Sequence, residues 1–192
     1  MQKAFLQSAL YSPPIVLGRQ LRAFSPFHAL ALEAVNSPFA HEPVTGVTPD
    51  SLIVAIWTCS HSFADGLPVL LDIATIQKWG ASVGKWDFSK TKAQFFRHLD
   101  DSMLLPKFYH TGDEEDARAP VAWHLATSGM RFLHMTEAEA WDCSIARLVC
   151  YRACISEWNG SKSLKSDEEI KGRKVLEEIK AREEAAKDRN SI

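Results

Sequence analysis

Histidine titrates near neutrality and is the usual general base, so catalytic chemistry would first be sought at Cys59-Ser60-His61-Ser62, with Asp65 close behind. A hydroxyl or thiol nucleophile, an imidazole base and a carboxylate all occur there. The spacing argues against the reading, because a helix points adjacent side chains in different directions and a histidine does not readily act on its immediate neighbours. His28, His98, His124 and His134 stand alone on expected helices or turns, where packing or solvation is the simpler account.

The four cysteines are Cys59, Cys143, Cys150 and Cys154. The last three fall at offsets of seven and four, which predicts one stripe of one helix, a buried apolar seam of reduced thiols. No Cys-x-x-Cys or His-x-x-x-His pair is present, so no metal is expected. Gly-x-Gly-x-x-Gly, Gly-x-x-x-x-Gly-Lys, Gly-x-Ser-x-Gly and His-Glu-x-x-His are missing as well, and the reading is of a non-enzyme without cofactor. An enzyme with dispersed catalytic residues is the alternative that such a search would miss.

Composition narrows the classes further. The 192 residues are 46% hydrophobic and 24% charged, with a formal net charge of -2, as expected of one globular domain able to bury a core. No basic excess points to nucleic acid. The opening residues lack the basic region and cleavage site of a secretory signal, since Ser12-Pro13-Pro14 breaks the apolar stretch from Ala4 to Tyr11. Leu52 to Cys59 falls well short of the roughly 20 residues that cross a bilayer, so a cytoplasmic location and no membrane partner are expected.

The elements that must position any site read as helices. Pro13-Pro14 and Gly18 predict an extended stretch from Ile15 to Leu21, residues 1–20 are expected as an N-terminal arm, and the helical domain begins at residue 21. Ser25-Pro26 and Thr48-Pro49 are capped helix starts, and the second cap decides for helix over strand in the β-branched run Ile53 to Trp57. Val69 to Trp79 continues with helical spacing until Gly80 and Gly84 open a loop. Ser89 is expected to cap a helix through Met103. An acidic loop spans Tyr109 to Pro120, and another helix runs from Val121 to Phe132. Thr136 with Glu139 has capping-box spacing, and Asp142 is expected to cap a final helix that stops at Asn159-Gly160. No strand alternation survives, so the fold class is all-α: a compact multi-helix domain over 21–160 followed by a charged C-terminal helix or tail over 161–192.

The corner from Thr136 to Gly160 also has the size of a helix-turn-helix, whose reading residues would be Cys143, Ser144, Ile145 and Arg147. Glu137 and Glu139 beside them should repel DNA, which leaves a DNA-binding regulator as a further alternative and nucleic acid as an unexpected partner. Most of the six tryptophans should be core. Trp86, in the loop Gly84 to Phe88, is the candidate partner contact, and Ile170, Leu176 and Ile179 form a thin apolar stripe on the C-terminal helix that could serve the same purpose.

Two segments carry a family resemblance: Leu21-Arg22-Ala23-Phe24-Ser25-Pro26-Phe27-His28 followed by Asn36-Ser37-Pro38-Phe39, and Glu137-Ala138-Glu139-Ala140-Trp141-Asp142 leading into Ala146-Arg147 and Tyr151-Arg152. The chain resembles, over about a quarter of its length, small helical tail assembly chaperones and neighbouring morphogenesis proteins of tailed phages and prophages. Where that pattern often has methionine and proline after the aspartate, Cys143-Ser144 stand here. The resemblance implies a cytoplasmic assembly factor or minor virion protein of a bacterial host. It would bind another phage assembly or tail protein, such as the tape-measure protein, with self-association left open.

Overall fold

The computed structural model describes residues 2–41, 43–70, 72–107, 120–161, 164–165 and 168–170. Among them the chain is mainly helical, with nine α-helices and one two-stranded hairpin. The acidic loop expected between Tyr109 and Pro120, and most of the charged C-terminal helix, lie outside the described residues.

The residues expected as an N-terminal arm are built into the body. A first helix, α1 (Lys3–Leu10), packs against the last helix and against α6, introduced below, and buries Ala4 and Ser8. Pro13-Pro14 end it, as their fixed φ requires. Leu17 and Gly18, both at positive φ, then turn the chain back so that β1 (Ile15–Val16) pairs antiparallel with β2 (Arg19–Gln20). The reversal places Val16 and Leu21 in the core, each 1% exposed.

Local capping explains most of the helix starts. In α2 (Pro26–Ala34) the Ser25 hydroxyl accepts from the His28 N–H, and the Ser25 N–H donates to His28 Nδ1 at 3.2 Å. Histidine thus closes the capping box where glutamate or glutamine usually does. Thr48 and Ser51 make the same reciprocal pair at α3 (Pro49–Cys59), which settles the β-branched run as helix. A short α4 (Gly66–Leu70) follows, then α5 (Ile73–Ser82). Gly80 lies inside α5 and opens no loop; a Cβ there would meet Ile53 Cγ2 at 3.2 Å, so the glycine lets α5 approach α3 closely. The next helix, α6 (Phe88–Ser102), is capped by Asp87, whose carboxylate accepts from the Lys90 N–H at 2.9 Å, two residues before the expected Ser89.

In the C-terminal half, α7 (Val121–Leu133) ends on His134 in the left-handed region. Thr136 and Glu139 form the expected capping box on α8 (Glu137–Asp142). Asp142 does not cap α9 (Ile145–Trp158): Ser144 does, accepting from the Arg147 N–H at 3.3 Å. Cys143 accordingly lies outside α9, and Cys154 is exposed, so only Cys150 keeps the buried-seam position expected of all three. Gly160, at φ 86°, ends the helix, and Ser161 N–H reaches Ser156 O at 2.9 Å.

The chain does not leave the body at Gly160. Lys165 N–H donates to Lys107 O at 3.1 Å, and the Gln2 amide ties both strands down, donating to Lys165 O at 2.8 Å and accepting from Lys107 N–H at 2.7 Å. Around the central pair α2 and α3, α7 packs on both α8 and α9, α5 and α6 lie against α3, and α1 closes the bundle over α9. Phe27, Leu32, Leu52, Ile56, Phe95 and Leu148 are among the fully buried side chains, each contributing about 1.5–3 kcal/mol of burial. Among the described residues no helix is long and apolar enough to cross a membrane.

Candidate functional site

Helical spacing that builds the core also leaves a cleft. On α2, Ala29 and Glu33 are one turn apart; on α6, Phe96, Leu99 and Asp100 fall at the same spacing, which Met103 continues just past its end. These two stripes wall a depression of about 750 Å³. Its floor, the buried part of the lining, is Phe24, Phe39, Ala122 and Ile145, and Phe39 is fixed there by an edge contact with Phe95 and a tilted one with Phe96, at ring-centroid distances of 5.0 and 5.6 Å. Ala40, His41, Val44, Pro120 and Val121 complete the lining. Glu33, His41, Asp100, Pro120 and Val121 are exposed, so the cleft opens to solvent along a polar and partly apolar rim. The side chains of Glu33 and Asp100 have no hydrogen bond or ion pair among the described residues.

Behind the floor the two resembling segments meet. Ile145 N–H donates to Phe24 O at 2.9 Å, the Arg22 guanidinium pairs with the Asp142 carboxylate at 3.6 Å, and Asp142 Oδ1 accepts from the Phe63 N–H at 2.6 Å. Asp142 is therefore occupied by tertiary partners, which is why the cap passes to Ser144. Trp141 stacks on Phe63 at 5.9 Å and receives the edge of Trp123 at 5.0 Å; Phe27 closes on Phe63 edge-on at 5.6 Å. The motif residues thus hold helix α2 to the corner between α8 and α9.

At His61, the imidazole Nδ1–H and the Ser60 hydroxyl both donate to the Trp57 carbonyl, each at 2.7 Å. With Nδ1 carrying that proton it cannot take one from Ser60, although the two side chains lie 3.3 Å apart. Asp65 is turned to the Ser62 N–H and hydroxyl, which hold its carboxyl below the usual range. Arg19 lies over the Trp57 and Trp79 rings at 3.7 and 4.7 Å and donates to Ser60 Oγ, finishing the α3 C-terminus with a cation as the helix dipole favours.

Two histidines are buried. His28 Nδ1 accepts from the Ser25 N–H while Nε2–H donates to His61 O at 2.9 Å, so the neutral ring is satisfied; burial lowers its pKa to about 4. His98 Nδ1 lies 2.7 Å from the Tyr11 hydroxyl, and its Nε2 is buried without a partner. Because Tyr11 Oη also lies 3.3 Å from His98 O, the consistent assignment has Nδ1–H donating to Tyr11 and Tyr11 donating to the carbonyl, which leaves Nε2 as a bare acceptor. Burial lowers the His98 pKa to about 4 and raises that of Tyr11 to about 12.

The contact residues expected from sequence are not gathered in one place. Trp86 is half-buried, packs on the core and meets Phe88 edge-on at 6.0 Å. Ile170 is half-buried at the end of the described chain, and Leu176 and Ile179 lie outside it. The most exposed tryptophan is Trp158, at 91%. In the corner considered for DNA reading, Ser144 and Ile145 are buried and Arg147 donates to Ser8 O at 3.3 Å. The cleft residues were missed, though Phe24, Phe39 and Ile145 sit in or beside the segments that carried the resemblance. Among the described residues no group of three or more histidines, cysteines or carboxylates could hold a metal ion. Fold and cleft together define a helical protein with an aromatic-floored, acid-rimmed groove. No family model matches the chain, no curated protein matches it, and no solved structure matches it.

Proposed function

We propose that this chain is a non-enzymatic protein-interaction factor, of the kind its two segments resemble among tail assembly chaperones and morphogenesis proteins of tailed phages, acting in the cytoplasm of a bacterial host. It binds another phage protein, the long helical tape-measure protein being the leading candidate, through the cleft between α2 and α6. The observation that supports this reading is the cleft itself: aromatic and aliphatic side chains from five parts of the chain line an opening to solvent on a folded body. The motif-bearing segments support it indirectly, since the contacts from Arg22 to Asp142 and from Phe24 to Ile145 set the cleft floor.

The test is co-expression with the products of neighbouring genes, followed by co-purification. A stoichiometric complex with a tail protein is expected, and Ala29→Trp, which fills the cleft wall, should abolish it while circular dichroism stays helical. A complex indifferent to Ala29→Trp would remove the cleft from the function. Genes of a metabolic operon alongside, with no complex, would remove the phage assignment.

A further inference from the structure

The walls of the cleft are two helix faces, and their charges are of one sign. Glu33 stands on the α2 wall one turn beyond Ala29, and Asp100 stands on the α6 wall beside Leu99. No lysine or arginine lines the cleft among the described residues, and the only other ionisable side chain there is His41. Two exposed carboxylates on the lining of a largely apolar cleft, neither with a side-chain partner among the described residues, give it a negative rim. Such an arrangement discriminates by sign, since a like charge brought to the rim is repelled while a basic one is drawn in.

Resting on the reading of the cleft as the partner site, we propose that its occupant is an amphipathic helix of the partner protein, with an apolar face of leucine-like residues at i, i+3, i+4 and i+7 bordered by lysine or arginine. A helix matches the shape, because walls made of two helical stripes present ridges and grooves of the kind a third helix fills. Basic flanks match the charge. The apolar face meets Phe24, Phe39 and Ile145, and the flanking cations reach Glu33 on one side and Asp100 on the other.

The experiment uses the full chain and two fluorescein-labelled synthetic helices with the same leucine face, one flanked by lysine and one by glutamate, in an anisotropy titration. The lysine probe should bind at least about tenfold more tightly at low salt, with the preference shrinking as ionic strength rises and screening shortens. The double variant Glu33→Lys with Asp100→Lys should reverse the preference without moving the thermal melt, since both carboxylates are exposed. Equal binding of both probes, binding of neither, or a lysine preference that survives the double variant would each overturn the inference. A wild-type dimer in sedimentation that the double variant dissociates would do so too, by making a second copy the occupant. Two variants separate this inference from the reading beneath it. If Ala29→Trp abolishes the tail-protein complex while the double charge variant leaves it intact, the cleft function stands and the basic helix falls; if Ala29→Trp has no effect, the cleft function falls first.

Discussion

Helix α2 meets two unlike environments. On one side Phe27, His28 and Ala31 are buried against the α8 corner, where rings interlock and polar groups find partners: Ser25 with His28, Asp142 with Arg22 and the Phe63 N–H. On the other side Ala29 and Glu33 line an open cleft whose carboxylates have none among the described residues. The contrast separates two uses of the same helical periodicity. Groups that are satisfied and enclosed supply stability; groups left half-covered supply a surface for something else. A substitution should therefore act on folding at the corner and on binding at the cleft, and that is where the comparison can be broken.

The largest effect should come from Trp141→Ala. Trp141 is 2% exposed and contacts both Phe63 and Trp123, so truncation leaves a large cavity at the centre of the corner. A loss of roughly 3–5 kcal/mol is expected, a large part of the total stability of a domain, readable as a lowered urea midpoint. A loss below about 1 kcal/mol would mean that the corner is not where stability lies.

Acid should act next, through the buried rings. The pKa values of His28 and His98 lie near 4 in the folded chain against 6.5 for a free imidazole, because burial disfavours the cation. The unfolded chain then takes up protons first as pH falls. Stability from this source is complete above pH 6.5, declines as pH drops toward 4, and stops changing below that, by up to about 3 kcal/mol for each ring. Protonating His28 also removes the acceptor that Ser25 N–H uses, so the α2 cap should open with it. Urea midpoints at pH 7, 5.5 and 4.5 check the slope; a flat profile over this range would show that both rings titrate normally, and about half the slope that one does.

What could be read in the residues divides along the same line. Ser25-Pro26, Thr48-Pro49 and Thr136 with Glu139 were legible because a cap is closed within four residues, so no distant partner is needed to decide it. Asp142 misled because its carboxylate is claimed by Arg22 and Phe63, the latter 79 positions away, and a local rule cannot see that competition. Gly80 misled for the same reason: its role is set by Ile53 on another helix. The cleft was not legible at all, since Phe24, Phe39, Phe96 and Ile145 come together only through the tertiary packing of four separate segments.

Asp142→Ala sharpens the corner's side of the comparison at intermediate size. It leaves the Phe63 N–H without its acceptor and Arg22 without its counter-ion. The pair with Arg22 is partly exposed and adds little, so most of the loss, about 1–3 kcal/mol, should come from the orphaned backbone donor. Arg22→Ala provides the separation: it should cost well under half as much in the same denaturation assay. Equal losses for the two variants would assign the lock to the ion pair instead.

The smallest effect is expected where the side chain is the same but the surroundings are not. Trp158, at the end of α9, is 91% exposed, whereas Trp141 is 2% exposed. Trp158→Ala removes almost no buried area, and alanine is the better helix former, so the change in stability should stay within about 0.5 kcal/mol. Paired with Trp141→Ala under identical conditions, it asks whether environment rather than residue type sets the cost. A loss above about 2 kcal/mol would mean that this end of α9 is covered in solution. Repeating the measurement at a tenfold lower protein concentration then identifies the cover: a loss that shrinks on dilution belongs to an interface between copies, and one that does not belongs to the chain itself.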